Sequence, residues 1–251
     1  MRGRASEVVE TLTRRKVDIC AAQETRWKAS STRMISGKDS RYKFLWSGDD
    51  SGYGGVGILV AEKWIDKIIS VERTNNRQMA IRLLIGRKIL YVISGYAPQV
   101  GLPEKEKDDF FFNLLGNIAA VPSEEMLIVC GDLNGHVGKT SDGFEGIHGG
   151  QGFGVRNSEG TRILELCAAA DLVITNTLFT KPNNHLVTFR SGKVCSQIDF
   201  ILLRRLDFKC ARDVKVIGGE ECVSQHKLLI CDLELNTSFC KPANIPPKRK
   251  L

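Results

Sequence analysis

The fold is decided by one short stretch, Ile128-Val129-Cys130-Gly131-Asp132-Leu133-Asn134-Gly135, in which an apolar run stops at glycine and polar side chains. Apolar β-branched residues favour a buried strand. Because side chains two apart on a strand share a face, Asp132 and Asn134 should project together from its end. A carboxylate beside an amide can receive a proton from water and hold a phosphoryl oxygen, as hydrolysis of a phosphate ester requires. The alternative is a strand ending in an Asx-type turn, since Gly, Asp and Asn are common turn formers.

A second apolar run, residues 17–22, delivers a carboxylate in the same way. It leads into Gln23 and Glu24, so that the carboxylate directly follows an amide side chain. An oxygen ligand such as Glu24 suits Mg²⁺, which keeps several waters and takes only one or two carboxylates. The alternative is an exposed glutamate at the start of a loop.

A third strand-like run, residues 89–95, ends in Tyr96, Ala97, Pro98 and Gln99. A proline after the strand ends its hydrogen-bonded ladder. Tyr96 and Gln99 are then placed to hydrogen-bond a phosphate. The alternative for the tyrosine is a packing residue with a solvated hydroxyl group.

One aspartate and one histidine complete the set. Asp199 lies within the apolar run 197–203, where a charge is costly unless it is paired. His226 stands at the head of another strand-like run and offers that partner. An aspartate bonded to one imidazole nitrogen fixes the other nitrogen toward the substrate, as in hydrolytic triads. Each piece alone has a packing or turn explanation, but their joint occurrence at strand ends does not.

The polar segments form an ordered set of five motifs. They are Gln-Glu-Thr (23–25), Gly-Tyr-Ala-Pro (95–98), Gly-Asp-Leu-Asn (131–134), Gln-Ile-Asp-Phe (197–200) and Ser-Gln-His (224–226). This set resembles the endonuclease/exonuclease/phosphatase superfamily. It resembles in particular the endonuclease domains of RTE-type non-LTR retrotransposons and the craniofacial development protein 2-like group related to them. The resemblance implies an α/β fold, a four-layer sandwich of two mixed β-sheets flanked by helices.

The same resemblance implies a reaction, the hydrolysis of a phosphodiester with the help of a single Mg²⁺ ion. Mn²⁺ could take the place of Mg²⁺. Glu24 would be the metal ligand. Asp132 would align or deprotonate the attacking water, and Asn134 would hold that water or a phosphate oxygen. The expected activity is that of a metal-dependent DNA endonuclease, which nicks DNA.

The resemblance also implies which residues contact the phosphate. Tyr96 would contact the scissile phosphate, and Asp199 would orient His226, which stabilises the phosphoryl transition state. Gln99 and Gln225 are expected to contact phosphate or DNA. Most of the superfamily has an aspartate where this chain has Gln225. An amide is neither a strong metal ligand nor a base, but it can still hydrogen-bond water or phosphate.

The chain departs from the family pattern at its first residues. Family members normally begin with a strand that carries an asparagine, whereas residues 2–9 already resemble the entry to the first helix. We therefore expect an N-terminally truncated domain that lacks the first family strand. Because an inner strand pairs on both sides, its loss leaves ladder groups unpaired, at about 1–3 kcal/mol for each buried group. Weakened activity is the expected consequence.

Bulk properties agree with this interpretation. The length of 251 residues fits one large α/β domain. A formal net charge of +7 favours a polyanionic partner, which we expect to be DNA. The eight cysteines include no CxxC pair, no secretory signal is evident, and no apolar run approaches the ~18 residues of a membrane span. These features predict a nuclear or cytoplasmic protein that is not secreted and binds no membrane. A monomer is expected separately from these features.

Three helices are predicted. The first covers residues 6–16, the second opens at Pro103, and the third covers residues 158–170. The apolar face of the second helix is predicted to consist of Phe112, Leu115, Ile118 and Ala119.

The domain is expected to cover residues 1–235, followed by a disordered basic tail over residues 236–251. Residues 141–157 are rich in glycine and predict a long loop, which could touch DNA through Arg156. A plain surface loop is the alternative. Two histidines are predicted to face solvent, His148 and His185.

Two other functions remain open on the same motifs. A domesticated remnant without catalytic activity would bind nucleic acid or protein through the same surface. A phosphatase acting on sugar or lipid phosphates would share the motifs but not the retrotransposon resemblance.

Overall fold

The chain folds into four layers in the order helix, sheet, sheet, helices. The computed structural model describes residues 3–221 and 225–235. Its helices are α1 (Ala5–Arg14), α2 (Glu104–Ala119) and α3 (Ser158–Ala169). The predicted α/β class, with β-sheets flanked by helices, is confirmed.

The strands form two sheets and two separate pairs. In chain order they are β1 (Ile19–Gln23), β2 (Ser30–Ser36), β3 (Arg41–Ser47), β4 (Val56–Ala61), β5 (Ile68–Arg73), β6 (Gln78–Ile85), β7 (Lys88–Tyr96), β8 (Met126–Asp132), β9 (Leu172–Ile174), β10 (Phe189–Ser191), β11 (Val194–Ser196), β12 (Asp199–Arg204), β13 (Ala211–Glu221) and β14 (Lys227–Leu233). The first sheet has the order β1-β4-β3-β2, and the second has the order β5-β6-β7-β8-β12-β9. The pairs are β10-β11 and β13-β14. Among the described strands only β7 and β8 pair in parallel.

Three apolar clusters separate the layers. The outer cluster, between α1 and the first sheet, includes Val9, Leu12, Phe44 and Leu228. The inner cluster, between the two sheets, includes Val56, Ile58, Met79 and Ile128. The helix-side cluster, between the second sheet and helices α2 and α3, includes Phe110, Leu114, Leu127 and Ile163. Successive side chains of a strand point to opposite faces, so β8 contributes to both the inner and the helix-side clusters.

The helix boundaries agree with the sequence to within two residues, but the predicted apolar face of α2 is wrong in part. Ile118 is buried as predicted, whereas Phe112 is 79% exposed. The buried stripe instead runs through Phe110, Leu114 and Ile118. At 3.6 residues per turn, Phe112 lies about 200° around the helix axis from Phe110 and therefore faces solvent.

The strands that carry the motifs end at one edge of the second sheet. Parallel β7 and β8 end there together, and Gly131 allows their close approach, because a Cβ atom at this position would lie 1.9 Å from the oxygen of the facing glycine in β7. Antiparallel β12 begins at the same edge, which brings Asp199 directly opposite Asp132. The end of β1 is tied to β7 by a 3.2 Å hydrogen bond from Gln23 to Ser94.

Strands β1 and β14 are edge strands. Within the described residues, β1 has β4 as its single neighbour and β14 has only β13.

The predicted tail over residues 236–251 lies outside the described residues, so the domain boundary at residue 235 stays a prediction. None of the described helices combines the length and apolar character needed to cross a bilayer.

Candidate active site

Two carboxylates face each other at the centre of the site. Asp132 ends β8 and Asp199 begins β12, and the register makes them direct cross-strand neighbours. Asp132 is only 4% exposed. Like charges opposite each other on adjacent strands destabilise a sheet. A nearby cation, or a proton on Asp132, relieves this repulsion.

His226 supplies that cation. Its Nδ1 atom lies 3.1 Å from Asp199 Oδ2, and its Nε2 atom lies 3.9 Å from Asp132 Oδ2. Burial alone would lower the pKa of His226, but the hydrogen bond to Asp199 and the charges of both aspartates raise it to about 9. The imidazole is therefore protonated at neutral pH. The predicted pairing of Asp199 with His226 is confirmed.

Three residues that sequence reasoning missed fix this pair. Thr188 Oγ1 accepts hydrogen bonds from the backbone N–H groups of residues 198 and 199, at 3.0 and 3.1 Å. Asn176 donates to the backbone oxygen of Asp199 at 2.9 Å. The Phe189 ring packs edge-on against the imidazole, with 4.9 Å between ring centroids. Their sequence neighbourhoods hold no motif, because their roles depend on long-range packing against β12.

Asp132 and Asn134 share the end of β8 as predicted. The backbone N–H of Asn134 donates to Asp132 Oδ1 at 3.0 Å, which is the geometry of an Asx-type turn. Asn134 Nδ2 donates to the oxygen of Ala97 at 2.8 Å. Burial, followed by the charge of Asp199, raises the pKa of Asp132 well above its usual range. Asp132 and Asn134 therefore form an Asx-type turn and also lie at the candidate active site.

Glu24 approaches from the end of β1. Tyr96 donates its hydroxyl hydrogen to Glu24 Oε1 at 2.7 Å, and Arg26 Nη2 lies 3.3 Å from Glu24 Oε2. Burial and the hydrogen bond to Glu24 raise the pKa of Tyr96, so its hydroxyl stays protonated and donates. Arg26 was missed, although it stands two positions after the carboxylate that it pairs with.

The backbone is strained at this edge. Glu24 has a φ of 48°, Arg26 of 56° and Asn134 of 48°, which is the left-handed region that favours glycine. Such conformations persist only where surrounding contacts hold them, and they cluster at active sites. The carboxylate of Glu24 and the amide of Asn134 are thus held by backbone geometry that costs stability.

The residues present fit a divalent metal ion. Ligand-type atoms of Asp132, Asp199 and His226 lie within 4.8 Å of one another, the only such group of three or more in the described part of the chain. Protonated His226 is not a metal ligand in this state, but oxygen atoms are the preferred ligands of Mg²⁺. The charge of Glu24 also raises the pKa of Asp132. Even with a proton on Asp132, the charges of Glu24 and Asp199 outweigh that of one imidazolium, and the centre suits a divalent cation.

Comparison with known sequences assigns the chain to a family. The profile of the Endonuclease/Exonuclease/phosphatase family matches residues 1–220. The chain belongs to this family. Members of the superfamily are phosphodiester hydrolases and generally depend on a divalent metal ion.

The chain is also similar to craniofacial development protein 2, which confirms the resemblance stated from the motifs. It is 31% identical to the protein from Bos taurus over 246 residues, covering 97% of this chain and 41% of that protein. It is 30% identical to the protein from Tragulus javanicus over 246 residues, covering 97% of this chain and 42% of that protein. The chain thus spans about two fifths of the length of these relatives.

Solved structures of the Endonuclease/Exonuclease/phosphatase fold superpose on most of the chain. The endonuclease domain of TRAS1, a telomere-specific non-LTR retrotransposon, has a TM-score of 0.61 at 15% identity, covering 93% of this chain and 94% of that one. The AP endonuclease LMAP from Leishmania major has a TM-score of 0.68 at 11% identity, covering 93% and 84%. A 3′ phosphatase from Neisseria, bound to a product DNA hairpin, has a TM-score of 0.66 at 16% identity, covering 92% and 95%. At these identities the likeness shows the fold alone.

Three residues were predicted to contact phosphate or DNA. In the described structure their side chains are not hydrogen-bonded to Asp132, Asp199 or His226. Gln99 is exposed after β7, and exposed Gln225 donates to Ser191 Oγ at 3.2 Å. The guanidinium of Arg156 donates to backbone oxygens within residues 137–142 and therefore braces its own loop. Their contacts with phosphate or DNA stay predictions.

The expectation that His148 faces solvent is wrong. This side chain is only 2% exposed. Its Nδ1 atom accepts from the N–H of Gly150 at 3.0 Å, so Nε2 carries the proton and donates to the oxygen of Gly138 at 3.1 Å. Burial lowers the pKa of His148. The glycine-rich loop closes over a neutral imidazole, which the sequence pattern of the loop does not reveal. His185 is partly buried, with Nδ1 2.9 Å from the oxygen of Val216.

Proposed function

We propose that this chain is an Mg²⁺-dependent DNA endonuclease of retrotransposon ancestry. The observation that carries the proposal is the position of the His226 imidazole, 3.1 Å from Asp199 and 3.9 Å from Asp132, whose carboxylates face each other across two strands. A protonated imidazole beside carboxylates provides both a hydrogen-bond donor for a phosphoryl oxygen and an acceptor for a proton. These are the two groups that hydrolysis of a phosphodiester requires.

Glu24 would hold the metal ion, with Asp132 near it. When bound, Mg²⁺ supplies positive charge that polarises the phosphodiester and stabilises the developing negative charge. Tyr96 fixes the Glu24 carboxylate through its 2.7 Å hydrogen bond. We propose that this hydrogen turns from Glu24 to the scissile phosphate once the carboxylate holds the metal ion.

Asp132 would align the attacking water and take its proton. Its burial and the neighbouring carboxylates raise its pKa to about 8, so the ionised form that accepts a proton increases as the pH rises through that value. Asn134 would hold that water through its side-chain oxygen, or a phosphate oxygen through the second Nδ2 hydrogen, because the first is donated to Ala97.

His226 would stabilise the phosphoryl group during the reaction. Asp199 occupies its Nδ1 atom, so Nε2 is the donor left for the substrate. The 3.9 Å between Nε2 and Asp132 Oδ2 is longer than a hydrogen bond, so this proton is not committed to Asp132. A cationic donor here opposes the charge that develops on the phosphoryl oxygens.

DNA is the proposed substrate for two reasons. The formal net charge of +7 favours a polyanion. Among structures with this fold, one is described as a retrotransposon endonuclease domain and another was solved with a product DNA hairpin. A nuclear or cytoplasmic location and a monomeric state complete the proposal.

Nicking of supercoiled plasmid in Mg²⁺ or Mn²⁺ tests the proposal. We expect nicking that EDTA abolishes and that His226→Ala lowers by about 10²–10³-fold, the loss typical of one transition-state donor. His185→Ala is the matched control, because His185 contacts Val216 and not the carboxylates. Nicking that is equal in both variants would rule out His226 as the donor.

The remaining functions are outcomes of the same assay. Release of inorganic phosphate from sugar or lipid phosphates, without nicking, would replace the endonuclease by a phosphatase. Binding of plasmid without any metal-dependent turnover would favour the non-catalytic remnant. Either result would overturn the proposed endonuclease.

A further inference from the structure

Two neighbouring segments hold the turn that carries Asn134, residues 133–136. On one side, Asn134 Nδ2 donates to the oxygen of Ala97 at 2.8 Å. On the other side, Gly135 lies against the first turn of α3, where an added Cβ atom would be 2.7 Å from the backbone carbon of Glu159. The left-handed backbone of Asn134, with a φ of 48°, persists only where its surroundings hold it. The Asn134 turn therefore depends on both segments.

One buried ammonium group joins these two segments. Lys107 of α2 is only 3% exposed. Its Nζ atom donates to the backbone oxygen of Val100 at 2.9 Å and to Glu159 Oε1 at 2.8 Å. A third bond, also of 2.8 Å, goes to Glu104 Oε1. A lysine ammonium has three N–H groups, so all of them are used.

A second side chain fastens α3 to the Asn134 turn. Asn157, the N-cap residue of α3, accepts through Oδ1 from the N–H groups of His136 and Gly160, at 2.9 and 2.8 Å. Its own N–H donates to the oxygen of His136 at 3.1 Å. Gly160 permits this approach, because a Cβ atom there would lie 1.7 Å from that same oxygen. A shift of the first turn of α3 would therefore move the Asn134 turn.

Stability alone does not account for an ion pair at this place. Helices α2 and α3 already share the apolar helix-side cluster, through Phe110, Leu114 and Ile163. Replacing a buried ion pair by apolar side chains of similar volume often leaves stability unchanged or raises it. The three bonds of Lys107 have defined lengths and directions, which apolar contacts lack. They fix the positions of the groups that they join.

We propose that Lys107 is a positioning residue of the active site, which holds Asn134 in place by tying residues 97–100 to the first turn of α3. The catalytic consequence rests on the proposed endonuclease function, in which Asn134 binds the attacking water or a phosphate oxygen. Lys107 acts through Asn134 and not on the substrate, since its N–H groups are all committed.

The effect on the reaction should lie in kcat. A displacement of about 1 Å at a group that binds the reacting atoms can lower the rate by about 10²-fold. Binding of the rest of the DNA does not involve Lys107. Its loss should therefore lower kcat and leave KM unchanged, the pattern expected when an interaction with the transition state alone is weakened.

Hydrogen exchange measures the hold on the Asn134 turn without catalysis. The N–H groups of residues 133, 134 and 136 all donate hydrogen bonds and lie within one short peptide. Lys107→Met removes the ammonium group and keeps an unbranched side chain. We expect it to speed exchange of this peptide about tenfold relative to residues 42–46 of β3, which report unfolding of the whole domain.

Arg82→Met is the matched control. It removes the partner of Glu125, whose side chain is 7% exposed, as Lys107→Met removes a partner of Glu159, which is 9% exposed. Glu125 directly precedes β8, whereas the Asn134 turn follows the other end of that strand. The control should therefore lower the stability of the domain without speeding exchange of the Asn134 turn relative to β3.

A milder variant covers the case in which Lys107→Met does not fold. Glu159→Gln keeps an oxygen acceptor for Lys107 and removes only the charge. Exchange of the Asn134 turn should rise in the same direction by a smaller factor. Exchange unchanged in a folded Glu159→Gln, with Lys107→Met unfolded, would count against the proposal.

Nicking of supercoiled plasmid gives the second readout. We expect Lys107→Met to lower kcat by up to about 10²-fold at unchanged KM, and Arg82→Met to keep both values. Equal exchange of the Asn134 turn in these two variants, or an unchanged kcat in Lys107→Met, would overturn the proposal. Absence of nicking by the unaltered chain would overturn the proposed endonuclease instead. The exchange comparison would then still decide whether Lys107 holds the turn.

Discussion

His226 owes its charge to two carboxylates, and the charge can be measured. Because its folded pKa of about 9 exceeds the ordinary value of 6.5, the protonated imidazole stabilises the fold fully below pH 6.5. This contribution is lost as the pH rises through about 9. Titration of the imidazole by NMR in the metal-free protein should show the raised pKa, and Asp199→Asn should lower it. A His226 that titrates near its ordinary pKa in the unaltered chain would contradict the cluster geometry.

Glu24 is the second residue whose role can be isolated. Its carboxylate is the oxygen ligand that we assign to Mg²⁺, while Tyr96 and Arg26 hold it in place. Calorimetric titration with Mg²⁺ or Mn²⁺ should therefore lose its signal in Glu24→Gln. Glu10→Gln, on the exposed face of α1, is the control and should bind as the unaltered chain does. An unchanged binding curve for Glu24→Gln would remove Glu24 from the metal site.

At the level of elements, the site depends on how closely β7 and β8 approach. A Cβ atom at Gly131 would lie 1.9 Å from a backbone oxygen of β7, so Gly131→Ala must push the two strands apart. We expect a loss of about 3 kcal/mol or more in the free energy of unfolding, since overpacking against rigid backbone allows little relief. Urea denaturation measures this loss.

The matched control is Gly116→Ala on α2. An added Cβ at Gly116 meets no atom within 4 Å, and alanine in a helix interior is about 0.5–1 kcal/mol more favourable than glycine. This variant should therefore be more stable than the unaltered chain. Equal effects of the two substitutions would show that the approach of β7 and β8 does not constrain position 131.

Across the whole molecule, charge should govern the binding of DNA. The formal net charge of +7 is spread over a chain with 36 basic and 29 acidic residues. We expect the affinity for duplex DNA to fall by about 10³-fold or more between 50 and 200 mM salt if about six phosphates are contacted. Fluorescence anisotropy of a labelled duplex in EDTA would measure this dependence. Affinity that is independent of salt would exclude the phosphate backbone as the main contact.

The sequence predicted the elements and the strand ends better than the contacts between them. Apolar runs that stop at polar residues located Glu24, Asp132 and Asn134, and the cost of a lone charge in a strand predicted the pairing of Asp199 with His226. Local patterns indicate burial only on average. For this reason Phe112 was predicted to be buried and His148 to be exposed, whereas the structure shows the opposite.

The direct opposition of two aspartates could not be read from the chain. It depends on the register of β12 against β8, and that register is set by packing between residues far apart in sequence. The support that Thr188 and Asn176 give to Asp199 has the same origin. Long-range pairing therefore accounts for most of the site that sequence reasoning missed.

The left-handed backbone at Glu24 has a consequence for how such a chain would evolve. A side chain in this conformation costs roughly 1–2 kcal/mol that glycine avoids, so Glu24→Gly would relax the backbone while it removes the carboxylate. Asn134 poses the same conflict to a lesser degree, since its φ of 48° also favours glycine but asparagine adopts it more readily than glutamate does. A lineage released from selection for catalysis could therefore gain stability through the very substitutions that erase its active site. In such a lineage, decay would begin at these two positions and leave the fold intact.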